Sequence, residues 1–207
     1  MNQSSDRHGL RLSFNSPAVL GFAAVCLAAM ALNLITAGES NRLLFSVYRA
    51  PLSNPLTWLR MVCHVFGHAD WNHLLNNMMY ILLVGPMLEE KYGSLNLILV
   101  MLAAALLTGV INFAFFPGTM LLGASGIVFA MILLSSITST GEGAIPVTFI
   151  LVAILYIGQQ VWQAITVRDN VSYMAHIAGG AVGSVLGFLF SWAKKRKSRQ
   201  APSESMQ

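Results

Sequence analysis

Five long stretches of the chain, residues 16–37, 95–116, 121–140, 145–167 and 171–193, contain no Asp, Glu, Lys or Arg and are predominantly apolar. A sixth, shorter one covers residues 74–88. Crossing the hydrocarbon core of a bilayer takes about 17 to 25 such residues in a helix. The pattern therefore predicts six spans, the second of them short. The first stretch is too long for the apolar core of a cleaved signal, and no clean small-residue cleavage site follows it. It is expected to be a permanent helix.

Composition strengthens this reading. The chain has 207 residues, 56% apolar and only 10% charged, whereas soluble domains carry about 25% charged residues. So few charges could not cover a water-facing surface, and the lipid bilayer is the surrounding that fits. The net charge of +4 gives no reason to expect nucleic acid, because the cations crowd directly behind the last stretch at Lys194, Lys195, Arg196, Lys197 and Arg199. With six spans, Arg7, Arg11 and Lys91 share their side, eight cations against Arg42, Arg49, Arg60 and Arg168. The side richer in Lys and Arg is the cytoplasmic one. The expected organisation is a cytoplasmic tail over residues 1–15, a six-helix membrane domain over 16–193 and a basic cytoplasmic tail over 194–207. This suits a multi-pass protein of a bacterial inner (plasma) membrane. Cys26 in the first span and Cys63 in the following loop lie in different environments, so no bridge is expected.

The one long connection, residues 38–72, mixes Tyr48, Trp58 and Trp71 with Arg42, Arg49 and Arg60. Aromatics interleaved with Arg suit short helices lying in the membrane interface. Turn chemistry marks Pro117-Gly118 and Gly141-Glu142-Gly143. In this topology the second, fourth and sixth spans all begin at the outer face, and polar residues gather there: His73 and Asn77, then Ser125, then His176. Such groups are costly in a span and face the bundle interior or a wet cavity. Ser125 in Gly123-Ala124-Ser125-Gly126 is by itself compatible with simple close packing of helices. Gly179 and Gly183 form a small-residue face, which accounts for the glycines but not for His176 beside them. An imidazole there is placed to take a proton from a hydroxyl on a neighbouring helix. His73 and Asn77, four apart, share a helical face. They could donate to an oxyanion or simply join two helices. His64, His68 and His73 allow a metal reading, disfavoured because only Asp70 stands near to complete a shell.

Taken together and in order, these motifs resemble the rhomboid family of intramembrane serine proteases. They are Trp58-Leu59-Arg60 leading to His64, His68 and His73; His73-Leu74-Leu75-Asn76-Asn77; Gly123-Ala124-Ser125-Gly126; and Ala175-His176 followed by Gly179, Gly180 and Gly183. Gly85-Pro86-Met87-Leu88-Glu89 followed by Gly93 is similar to the family's Gly-x-x-x-Glu-x-x-x-Gly element. The resemblance covers roughly residues 58–187. It implies an all-α membrane protein, a six-helix rhomboid-like bundle with an interfacial loop after the first span. It further implies a Ser125 nucleophile with His176 as base, and Phe129 packed on that histidine. His73 and Asn77 would serve the oxyanion with the Ser125 backbone N–H, Gly123 belonging to the same oxyanion and substrate-binding group. No metal or other cofactor is implied. The implied partners are transmembrane proteins cut near their outer ends within the lipid bilayer. Hydrolysis there needs a wet cavity, which a short second span and a fourth helix starting near Ser125 would provide. Such a start would aim unpaired N–H groups at a developing oxyanion. Two other classes compete. A non-catalytic binder of client helices has no need of Ser125 and His176 together, and a small transporter is expected to carry acids within its spans.

Overall fold

A computed structural model describes residues 14–138, 145–166 and 173–200. The elements are α1 (Pro17–Ile35), α2 (Glu39–Leu43), α3 (Pro55–Cys63), a 3₁₀ turn (His64–Phe66), α4 (Trp71–Tyr92), α5 (Ser94–Phe115), α6 (Ser125–Thr138), α7 (Val147–Thr166) and α8 (Tyr173–Gln200). Among the described residues there is no strand, only an isolated antiparallel bridge between Val47 and Leu121. Local chemistry sets the helix starts. Pro17 and Pro55 stand in the first turns of α1 and α3, where a missing N–H costs nothing and a fixed φ helps. Asn54 caps α3 by accepting from Leu56 N, and Asp70 caps α4 by accepting from His73 N at 2.8 Å. Gly93, at φ 81°, alone separates α4 from α5.

The first and third stretches become α1 and α5 within two residues at each end, and these two helices are each long and apolar enough to cross a membrane unaided. The second departs from expectation. It is a 22-residue helix, not a short one, because Trp71, Asn72 and His73 before the apolar run and Glu89, Glu90, Lys91 and Tyr92 after it are helical too. The fourth helix, α6, starts at Ser125, as expected. Residues 121–124, although apolar or small, are not helical, because Leu121 is drawn into pairing with Val47 and Gly123 takes φ 119°. The loop after α1 carries short helices, and the basic run 194–199 continues α8 as helix. The turn at 141–143 and Arg168 lie outside the described residues.

The core centres on α6, whose Ile127, Met131 and Leu134 are buried against Leu74 and Ile81 of α4 and Leu97 and Val100 of α5. Outward faces are apolar too. Leu83, Leu95, Phe115 and Leu155 are each more than 70% exposed, a surface that fits hydrocarbon better than water. Close approach is what the glycines serve. A Cβ on Gly179 would fall on the Gly126 carbonyl and one on Gly183 on the Ala130 carbonyl, so α8 lies backbone to backbone on α6. Similarly, Gly85 admits Val19 of α1. One turn on, the buried Glu89 carboxylate accepts from Ala18 N (2.9 Å), Val19 N (3.0 Å) and Ser94 Oγ (2.7 Å). It thereby satisfies the free N–H groups at the start of α1 and ties the first helix to the α4–α5 corner.

Candidate active site

Ser125 is the first residue of α6, and the approach to it is fixed on both sides. Leu121 exchanges backbone bonds with Val47 (2.9 and 3.0 Å), and Gly123 N donates to His64 O at 2.9 Å. Gly123 sits at φ 119°, a region open to glycine and strained for other residues. A Cβ there would lie 2.6 Å from His73 Nε2 and 3.8 Å from Asn77 Nδ2. Its bare backbone is thus what lets the start of α6 meet the start of α4. The first i to i−4 bond of α6 runs from Val128 N to Ala124 O, so the N–H groups of its first turn point back toward this junction.

Across the α6–α8 seam, His176 Nε2 lies 2.7 Å from Ser125 Oγ. The Phe129 ring, one turn along α6 from Ser125, packs at 5.0 Å from the His176 ring, centroid to centroid. Both Ser125 and His176 are half-buried. On the facing helix Asn77 is buried, and its Nδ2 has no hydrogen-bond partner. A buried donor left unpaired costs about 1–3 kcal/mol. Such a group is accounted for when a ligand brings the acceptor.

A Rhomboid domain model matches residues 55–193, more than half of the chain. The chain belongs to the rhomboid family. Among similar proteins, Rhomboid-like protein 11, chloroplastic, of Arabidopsis thaliana is 26% identical over 65% of this chain and 53% of its own length. Rhomboid-related protein 1 of Caenorhabditis elegans is 32% identical over 68% of this chain and 42% of its own. Rhomboid protease GlpG of Yersinia pestis (strain Pestoides F) is 25% identical over 88% of this chain and 65% of its own. The chain spans about half the length of the first two of these relatives. Rhomboid proteins are integral membrane proteins, and those similar to this chain include bacterial and animal ones and plant ones with chloroplastic and mitochondrial names.

For this rhomboid chain, the structure brings together every residue singled out in the sequence at this site. Ser125 meets His176, and Gly123 meets His73 and Asn77. A hydroxyl bonded to an imidazole is the geometry in which a base can activate a nucleophile, and donors beside its backbone N–H can receive a developing negative charge. The other two histidines lie behind this junction. His64 contacts Arg60 O through Nδ1 (3.3 Å) and Thr108 Oγ1 through Nε2 (3.2 Å). His68 Nδ1 donates to Phe66 O (3.2 Å), and its ring stands edge-on to that of His73 at 5.1 Å. Burial pushes His64 down to about 4. Burial, followed by the neighbouring His73, does the same for His68, so both are neutral at neutral pH. Among the described residues no three His, Cys, Asp or Glu side chains are grouped to hold a metal ion.

The sequence reading missed the bracket that holds residues 119–123. Asn112 Nδ2 donates to Val47 O at 3.2 Å, and Thr119 Oγ1 donates to Asn112 Oδ1 at 2.9 Å. A signal was available. Thr108 and Asn112 are buried polar residues in an otherwise apolar span, the kind of position that calls for a named partner.

Proposed function

We propose that this rhomboid chain is an intramembrane serine endopeptidase that cleaves transmembrane helices of other proteins near their outer ends. In this reading it forms six spans with both termini cytoplasmic, in a bacterial inner membrane. The observation that carries it is the 2.7 Å contact of His176 Nε2 with Ser125 Oγ, beside an unpaired amide donor on the facing helix. Ser125 Oγ attacks the scissile carbonyl carbon while His176 takes its proton. The resulting oxyanion is held by the Ser125 N–H, Asn77 and His73. Collapse expels the amine, which receives the proton from His176, and water activated by the same imidazole then hydrolyses the acyl-enzyme. The substrate strand reaches Ser125 by unwinding, so helix-destabilising Gly or Pro near the cut favours it, because backbone leaving a helix in lipid loses its hydrogen bonds.

The test is a comparison of Ser125→Ala, His176→Ala and the double variant. Each single change is expected to abolish both cleavage of a reconstituted transmembrane substrate and labelling by a fluorophosphonate. The double variant should be little worse than either, since the pair acts as a unit. Full cleavage by purified Ser125→Ala would refute the mechanism. Capture of client helices without cleavage or labelling in the unmodified protein would favour the binder.

A further inference from the structure

Pro117 leaves α5 with an unsatisfied end. Having no N–H, it cannot donate to the Phe113 carbonyl as the next helical residue would. A cation from the loop between α1 and α3 supplies the missing donor. Arg49 Nε donates to Phe113 O at 2.8 Å and its Nη2 to Ala114 O at 2.7 Å. Its guanidinium also lies 5.4 Å from the centre of the Phe113 ring. Two residues earlier in the same segment, Val47 holds Leu121 by two backbone bonds. Residues 47–49 therefore grip the α5–α6 connection at both ends. Two residues beyond Leu121 comes Gly123, whose backbone lies against His73.

We propose that Arg49 is a positioning residue for the oxyanion site, setting through the α5 end and the Val47–Leu121 bridge where Gly123 and the Ser125 N–H come to rest. The inference rests on reading Ser125 as the nucleophile. A planar fork with fixed donors suits two neighbouring carbonyls, which a single ammonium cannot reproduce. Arg42 provides the contrast. Exposed like Arg49 and on the same loop, it pairs with Glu39 at 2.7 Å, with no bond to the connection.

The experiment follows phosphonylation of the full chain in detergent and in liposomes by a fluorophosphonate, separating the limiting rate kinact from the half-saturating concentration KI. All rates are taken below the melting transition and normalised to folded protein. Misplacing a reacting group by about 1 Å can cost on the order of a hundredfold. Arg49→Ala is expected to lower kinact by tenfold or more at unchanged KI, Arg49→Lys to recover part of it, and Arg42→Ala to leave both constants alone. Combining Arg49→Ala with Thr119→Val should give less than the product of the single losses, because both act on one connection. Wild-type kinact in Arg49→Ala, with or without a lower melting temperature, would overturn the proposal. So would an equal loss in Arg42→Ala. Should Arg49→Ala fail to fold, Arg49→Lys decides, and wild-type kinact there overturns it equally. Labelling of Ser125→Ala would instead refute the nucleophile, a separate result.

Discussion

Two regions meet at Ser125, and they are built by different means. On one side α6 and α8 touch backbone to backbone, with Gly179 against Gly126 and Gly183 against Ala130. On the other side α4, the 3₁₀ turn and the loop after α1 are joined by scattered polar contacts: Gly123 to His64, Leu121 to Val47, Asn112 to Thr119 and Asp70 to the start of α4. The first device fixes the distance between a hydroxyl and an imidazole by leaving no room for any side chain. The second places several weak donors around a point and leaves one of them, on Asn77, unpaired. A seam of that kind fails all at once, whereas a polar bracket degrades in steps.

The seam should therefore give the larger loss. In Gly179→Ala the new methyl group meets the Gly126 carbonyl, the residue next to Ser125, and α8 must retreat, taking His176 with it. Overpacking of this kind costs about 1–3 kcal/mol. Fluorophosphonate labelling is expected to vanish even where the protein still folds. Gly21→Ala is the control, since a Cβ there meets nothing within 4 Å. Removing a mid-helix glycine should stabilise α1 by roughly 0.5–1 kcal/mol with labelling intact. Wild-type labelling in Gly179→Ala would show that the seam does not set the Ser125–His176 distance.

The seam was legible in the sequence and the bracket was not, for a physical reason. Glycines spaced by four on a predicted helix announce a close helix contact, and a histidine beside them stands out because packing does not require it. The convergence of His73, Asn77, Ser125 and His176 followed from topology and depth alone. Pairing of Val47 with Leu121 uses backbone groups that every residue has, so no residue type could announce it. The same blindness misjudged the length of α4. Charge-free runs measure where lipid would tolerate a helix, whereas α4 is extended by polar ends and α6 is cut back by backbone pairing at Leu121 and the left-handed turn at Gly123.

On the bracket side, Asn77→Ala and His73→Ala should each lower turnover by on the order of 10²- to 10³-fold, the usual effect of losing one oxyanion donor, while some probe labelling survives. Asn77 carries a sharper expectation. Its unpaired buried amide is a burden to the resting fold, so Asn77→Ala should melt no lower than the unmodified protein while losing activity. A role in merely joining helices gives the opposite, a lower melting point with little change in turnover.

The last effect concerns acid and stability, and it separates the two sides again. His64 lies in the bracket, bonded to Arg60 O and Thr108 Oγ1, and burial lowers it from 6.5 to about 4. The unfolded chain binds a proton at this residue as pH falls through 6.5, and the folded chain does so only near 4. Its contribution to stability is therefore whole above pH 6.5 and is lost as pH falls toward 4, at about 1.4 kcal/mol per unit. His68, lowered by the same cause, adds a second loss of the same sign. Replacing His64 by Gln, which can still bond Thr108, should make the melting temperature fall less steeply between pH 6.5 and 4, leaving the share due to His68. The measurement is thermal unfolding across that range at constant ionic strength. Equal slopes in both proteins would mean that His64 takes up its proton without opening the fold. The polar bracket would then be no more sensitive to acid than the glycine seam.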